Sequence, residues 1–355
     1  MSKELYRKIQ KQLDTYSVGF PATESGIEIE ILETLFTLKD AELFTQLTPR
    51  LETPGAIAER TGQPEDDLTI HLEDMAARGL LFRTRKNNVS KYGAIPFMHG
   101  LLEYRVKNFD RNMAELFEKY FDEAMHGAIS ESTELFIRPI PIGESVAPEY
   151  RVAPFEDARK MLEASDIIVV ADCICRKGKE TIEEGCGKPM ETCFMFGSMA
   201  RYYIDNDMGR QVSVDEALDI LKKAQEAGMV TQPATSQNPT GMCSCCGDCC
   251  GVLLSLKKQP KPAELVFSNY FARVAEEECT GCEVCLERCQ MDAISMGDEG
   301  TAVIDDDRCI GCGLCVPTCP TEAMELIQKT GDAYRTPPQN AMEQMVTMAK
   351  KRGVI

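Results

Sequence analysis

All seventeen cysteines of this 355-residue chain lie between Cys173 and Cys319, and the 172 residues before them contain none. Eight form two runs of one spacing: Cys279, Cys282, Cys285 and Cys289, then Cys309, Cys312, Cys315 and Cys319. Two-residue spacers let a tight loop aim three thiolates at one metal–sulfide cube, while the next segment carries the fourth thiolate away. Gly281, Gly311 and Gly313 let backbone amides approach the sulfurs, where hydrogen bonds tune potential. The chemistry this pattern supports is one-electron transfer through two [4Fe–4S] clusters. A pair of zinc knuckles is the competing reading, and the repeated four-cysteine run argues against it.

The runs resemble those of bacterial two-cluster ferredoxins, in which the fourth cysteine of each run ligates the other cluster. The resemblance implies Cys279, Cys282, Cys285 and Cys319 at one cluster, and Cys309, Cys312, Cys315 and Cys289 at the other. Gln290 stands where the pattern usually has proline, so the turn there is expected to be looser, with ligation kept. The segments MDAI after 290 and TEAM after 320 read as matching helix starts, in keeping with an internal duplication.

Nine further cysteines lie upstream: Cys173, Cys175, Cys186, Cys193, Cys243, Cys245, Cys246, Cys249 and Cys250. Nine thiols suffice for one or two additional Fe–S clusters. Zinc sites and a redox-active dithiol are the other readings. Adjacent cysteines chelate one metal only with strain, so Cys245–Cys246 and Cys249–Cys250 are each expected to split between two sites. Arg176, Lys177 and Lys179 follow Cys175 and are either cations that stabilise an anionic cluster or a solvated loop. A fourth ligand from outside the protein would make an upstream cluster catalytic.

Composition excludes several classes. The odd cysteine count and tight spacings do not fit a secreted disulfide framework. The start MSKELYRKIQ has no apolar run behind it, and no stretch reaches 18 apolar residues. The expectation is a cytoplasmic protein of an anaerobic or microaerobic host, without a membrane span. Only His71, His99 and His126 are present, and no Cys-x-x-Cys-His occurs, which argues against covalent haem and mixed Cys/His zinc sites. No GxxxxGK[ST] loop or GxGxxG supports ATP, flavin or nicotinamide. A net charge of −18 repels nucleic acid and anionic membranes and favours basic protein partners.

Other elements must position these thiols. Residues 1–20 read as a helix. Ile27, Ile29, Ile31, Leu32 and Leu35 mix helical spacing with a strand-like opening. Short helices follow at 53–62 and 64–79, with Leu68, Ile70, Leu72, Met75 and Ala76 mostly inward. Then comes strand, Asn87–Asn88 turn and strand. This helix–helix–hairpin order resembles a winged helix. Its second helix carries Glu65, Asp66, Asp67, Glu73 and Asp74 against Arg78 alone, which argues against phosphate contact. The wing itself is basic, with Arg83, Arg85, Lys86 and Lys91, and suits minor-groove contact or an acidic partner. Protein docking or homo-oligomerisation through this region is the favoured reading. SDIIVVA at 165–171 reads as a buried strand, Ser213 and Glu216 as a capping box, 231–241 as a polar loop, and Pro338–Arg352 as a final amphipathic helix.

Gly19–Gly26 (GFPATESG), the winged-helix pattern, CxCR at 173–176 and CSCCGDCC before a two-cluster ferredoxin together resemble a group of 4Fe–4S dicluster ferredoxin-like proteins of anaerobes. The implied fold is α+β and multidomain: a winged-helix-like domain (1–130), a cysteine-rich α/β domain (131–262), a two-[4Fe–4S] ferredoxin domain of duplicated β-α-β form (263–330) and a C-terminal helix (331–355). The functional expectation is a multi-cluster electron-transfer protein, a subunit or redox-protein partner of a cytoplasmic oxidoreductase complex. The alternatives are a reductase with a catalytic upstream cluster and a redox-sensing transcription regulator.

Overall fold

The computed structural model describes residues 2–148, 150 and 152–355. An amphipathic face of Tyr6, Ile9 and Leu13 makes α1 (Ser2–Asp14) pack inward. Helix α2 (Ile27–Leu35) has no strand at its opening. Ile27, Ile29, Ile31, Leu32 and Leu35 are all buried, because α1 packs on one side of it and a later helix on another. A helix covered on several sides loses the one-sided periodicity that sequence reading relies on. A reciprocal Thr37/Asp40 capping box starts α3 (Leu38–Phe44). Thr53 caps α4 (Pro54–Thr61), and α5 (Glu65–Ala77) follows, with Ile70 exposed rather than inward.

Strands β1 (Leu81–Lys86) and β2 (Val89–Ala94) pair antiparallel across Asn87 and Asn88, whose φ values of 52° and 60° suit a tight hairpin turn. The basic character of this hairpin is partly spent internally. Arg83 is buried and pairs with Glu73 and Asp205, and Arg85 meets the same two carboxylates. Helices α6 (Arg111–Tyr120) and α7 (His126–Phe136) close this region. The expected boundary at 130 falls inside α7. One hydrophobic core runs from Tyr6 through the middle of the chain to Met348, so the N-terminal helices and the cysteine-rich region share their packing.

After α8 (Ala158–Glu163), the middle region is built on a five-stranded antiparallel sheet. In chain order it comprises β3 (Ile168–Asp172), β4 (Glu191–Phe196), β5 (Arg210–Val212), β6 (Val230–Pro233) and β7 (Gly241–Cys245), with spatial order β5-β3-β4-β7-β6. Helices α9 (Ile174–Thr181), α10 (Gly197–Asp205) and α11 (Val214–Glu226) connect the strands. Ser213 Oγ accepts from the Glu216 N–H, but the Glu216 carboxylate turns to Arg210 instead of closing the box. The expected polar loop at 231 begins as β6, because Thr231 and Gln232 are buried against β7.

Helices α12 (Gly251–Lys257) and α13 (Pro262–Leu265) lead into the C-terminal module. There β8 (Tyr270–Val274), α14 (Val284–Arg288) and β9 (Ile294–Met296) form one β-α-β unit, followed by β10 (Ala302–Ile304) and β11 (Met324–Gln328). Strand β8 pairs with β11, and β9 with β10. Two expectations need correction. The second copy has only turns at 314–318 where α14 stands in the first, so the duplication is not β-α-β twice. MDAI and TEAM do not start helices. Asp292 and Glu322 take φ of 53° and 57°, which a right-handed helix cannot propagate, and the chain enters β9 and β11 instead.

The last helix, α15 (Ala341–Lys351), docks on α7. Gln344 Nε2 donates to the Leu135 and Phe136 carbonyls at 2.8 Å each, and Lys351 pairs with Glu134. Arg352 reaches Asp14 and the Ser17 carbonyl. No helix among the described residues is long and apolar enough to cross a membrane.

Candidate functional site

The thiols fall into four groups. Cys279, Cys282, Cys285 and Cys319 line one cavity of about 20 Å³, and Cys289, Cys309, Cys312 and Cys315 line another of about 30 Å³. Each cavity therefore takes three thiols from one run and the last thiol of the other. The loops that allow this turn at Gly281, Gly311 and Gly313, with φ of 67°, 69° and 73°. At Gly311 an added Cβ would lie 2.1 Å from the Tyr270 carbonyl, so no other residue fits there. Backbone amides donate to sulfur in matching fashion: Ala302 to Cys279, Ala272 to Cys309, and Ala293 to Cys289, at 3.3–3.4 Å. Such bonds stabilise thiolates and bound iron–sulfur groups. Burial pushes the Cys312 thiol up to about 12, so only a bound cation would ionise it at neutral pH.

The two cavities differ in exposure. Cys282 is exposed, and Glu276, Glu277, Glu278, Glu283, Asp298 and Glu299 around that loop are exposed too. The second cavity faces inward. Gln290, beside its Cys289, accepts a hydrogen bond from the Gly247 N–H through Oε1 at 2.7 Å. The residue that departs from the usual proline thus joins the ferredoxin-like module to the upstream cysteines.

Six upstream thiols form a closed ring. Strand side chains alternate, so β7 puts Cys243 and Cys245 on one face and Ser244 on the other. Cys193 on β4 lies opposite Cys243 in register. Cys173 and Cys175 come from the start of α9, and Cys250 from the start of α12. Around the ring the thiols act on one another's titration in the order Cys173–Cys175–Cys250–Cys245–Cys243–Cys193 and back to Cys173. Neighbouring thiols hold Cys173 and Cys250 well below the usual range, whereas Cys175 and Cys193 are pushed up by their neighbours and by burial. Without added cations the ring cannot carry six thiolates.

These six cysteines line a cavity of about 100 Å³, several times larger than either ferredoxin-like cavity. Met98, His99, Glu103, Tyr203 and Gln232 share its wall. The Gln232 side chain is buried, and neither amide atom has a partner among the described residues. Burial also pushes the Glu103 carboxyl up, against the Gly100 N–H that it accepts. Nothing in the sequence marks these residues. Glu103 is one of 57 acids, and Gln232 lies in a segment that reads as loop.

Cys186, Cys246 and Cys249 make the last group, with all three sulfurs within 4.8 Å of one another. The chain thus parts each adjacent pair: Cys245 and Cys250 face the ring, Cys246 and Cys249 the trio. Arg176 lies between the two groups and is 2% exposed. Its guanidinium donates to the Ser244 carbonyl at 3.2 Å, to Thr192 Oγ1, and to Cys246 Sγ at 3.9 Å. No carboxylate pairs with it among the described residues, and its Nε has no partner. Burial opposes its charge, but the surrounding Cys173, Cys193 and Cys246 sulfurs push its affinity for the proton up. Lys177 and Lys179 turn away to Asp172, Glu118 and Glu184. Among the histidines, His71 binds Asp40 and His126 meets Ser255, so only His99 reaches the ring cavity.

Residues 278–323 match the family model described as a 4Fe-4S dicluster domain. No curated protein and no solved structure matches the chain. The matched segment holds all eight cysteines of the two crossed cavities, and with them it supports an iron–sulfur electron-transfer protein with a ferredoxin-like C-terminal module.

Proposed function

We propose that this chain is a multi-cluster electron conduit in which the six-cysteine ring holds an iron–sulfur centre in addition to the two [4Fe–4S] clusters of the ferredoxin-like module. Such centres supply one-electron storage and transfer when bound. Cys279, Cys282, Cys285 and Cys319 would hold one ferredoxin cluster, and Cys289, Cys309, Cys312 and Cys315 the other. Cys173, Cys175, Cys193, Cys243, Cys245 and Cys250 would hold the upstream centre. The observation that carries this reading is the convergence of six cysteines on one cavity of about 100 Å³. Arg176 is buried with no carboxylate partner among the described residues, and Cys173 and Cys193 of the ring act on its charge. A buried cation without an anion costs several kcal/mol, and metal–thiolate centres of net negative charge around it supply that anion.

The chain's own residues set the order of the path. The ring sits against the shared core, Gln290 bridges to the second ferredoxin cavity, and the first cavity opens at Cys282 amid exposed carboxylates. The outer end therefore suits a basic redox protein. An exposed acidic outer end supports a role as a subunit or partner of an oxidoreductase complex.

Anaerobic iron and sulfide quantification with EPR tests the reading. About eight irons per chain would mean the ferredoxin pair alone and would refute the ring centre, whereas about twelve or more supports it. In Cys243→Ser/Cys245→Ser, the irons above eight are expected to disappear while the ferredoxin signals remain.

One observation favours a second reading, a reductase with its substrate at the ring. Gln232 brings two unpartnered amide atoms to the cavity wall, near His99 and Glu103. Turnover of a small substrate by the isolated protein with an artificial electron donor, lost in Gln232→Leu, would establish it. A DNA-binding regulator is disfavoured, since Arg83 and Arg85 of the hairpin are engaged by Glu73 and Asp205.

A further inference from the structure

The trio outside the ring has its own geometry. Cys186 follows α9, while Cys246 and Cys249 flank the tight Gly247–Asp248 turn. The Cys186 and Cys246 sulfurs are 3.8 Å apart, and all three lie within 4.8 Å of one another. Tetrahedral ligands at a Zn–S length of about 2.3 Å stand about 3.8 Å from each other. The ferredoxin-like cavities give an internal comparison. Among the described residues, no three of their sulfurs approach one another so closely, nor do any three in the ring. The trio is therefore packed for one ion, not for a cube.

We infer that Cys186, Cys246 and Cys249 bind a single zinc ion, with a fourth position open to water or another non-protein ligand. Soft thiolates select zinc among the common divalent ions. Three thiolates on a divalent ion leave a net negative charge, and Arg176 lies 3.9 Å from Cys246 Sγ to meet it. Asp248, the nearest carboxylate in the turn, is committed to Lys188. Zinc has no redox chemistry of its own. Its role would be to fix the Cys246–Cys249 turn, whose Gly247 amide binds Gln290 beside the second ferredoxin cavity. The ion would thus pin the spacing between the ring and the ferredoxin-like module.

The test uses full-length protein purified anaerobically from medium containing zinc and iron. Elemental analysis is expected to give about one zinc per chain, and zinc-edge X-ray absorption to give three sulfurs at about 2.3 Å plus one lighter ligand. Cys186→Ser should lose the zinc and keep the iron content and the ferredoxin EPR signals. Three results would overturn the assignment: substoichiometric zinc in the wild type, zinc held only by nitrogen and oxygen, or loss of about four irons in Cys186→Ser, which would mean a cube. If that variant fails to fold, the wild-type absorption spectrum decides alone. Absence of a ring centre would appear in the iron count and leave the zinc result unchanged.

Discussion

Replacing Arg176 by glutamine removes the one buried cation among the upstream thiols. The guanidinium touches Cys246 of the trio, and beyond direct contact Cys173 and Cys193 of the ring also act on its charge. Unit charges about 4 Å apart interact by about 4 kcal/mol at an effective dielectric constant near 20. Charge added on reduction spreads over a whole centre at greater mean distance, so about half of that, ~2 kcal/mol, is the expected effect. For a one-electron couple this is ~90 mV. The sign is fixed: a cation favours the reduced, more negative state, so its loss lowers the potential. An EPR-monitored redox titration of Arg176→Gln should show the upstream signal moved down by about 90 mV, with the ferredoxin signals nearly in place. Arg176→Lys, which keeps the charge, should restore most of the shift. An upstream potential that does not move in Arg176→Gln would refute the claim that this charge faces a reducible centre.

Three other outcomes follow from particular contacts. Gln290→Ala deletes the acceptor for Gly247 N–H and should cost about 1 kcal/mol, read as a small fall in Tm of the loaded protein; an unchanged Tm would remove the bridge. Asp40 is buried, which opposes ionisation, yet Arg78, His71 and Thr37 hold its carboxyl well below the usual range. Its contribution is therefore present above the unfolded value of about 3.9 and lost as pH falls below it. Asp40→Asn should flatten the acid limb of an unfolding titration and lower stability at neutral pH by about 3 kcal/mol; an acid limb as steep as the wild type's would contradict this. Electron delivery to a basic acceptor protein should slow with added salt and in Glu277→Lys/Glu283→Lys, measured by stopped-flow absorbance; rates that ignore both would place the exit elsewhere.

The ferredoxin-like runs were the most legible part of the chain, because their spacing alone brings thiols together locally. The crossed cavities depend on a duplication that is also visible in the spacing. The turns into β9 and β11 are not legible in the sequence, because nothing in MDAI or TEAM signals a non-glycine residue at positive φ. Upstream, β7 and the following turn aim the neighbours Cys245 and Cys246 to different thiol groups. Spacing does not tell which distant thiols each meets. Cys193 joins Cys243 through strand register, and Cys186 joins Cys246 across a loop, so both pairings are tertiary. The same holds for Arg176. Three cations follow Cys175, and only the fold shows that one turns inward while the others reach surface acids.

The docking of α15 has a consequence for how the protein is made. This helix lies downstream of every cysteine, yet it holds α7 through Gln344 and fastens to the first helix region through Arg352. During synthesis those contacts form only after the last thiol has left the ribosome. The end of α7, next to Ile137 in the ring's wall, thus waits for its final fastening until those ligands have emerged. On the proposed reading, metal delivery to the ring can precede closure by this latch.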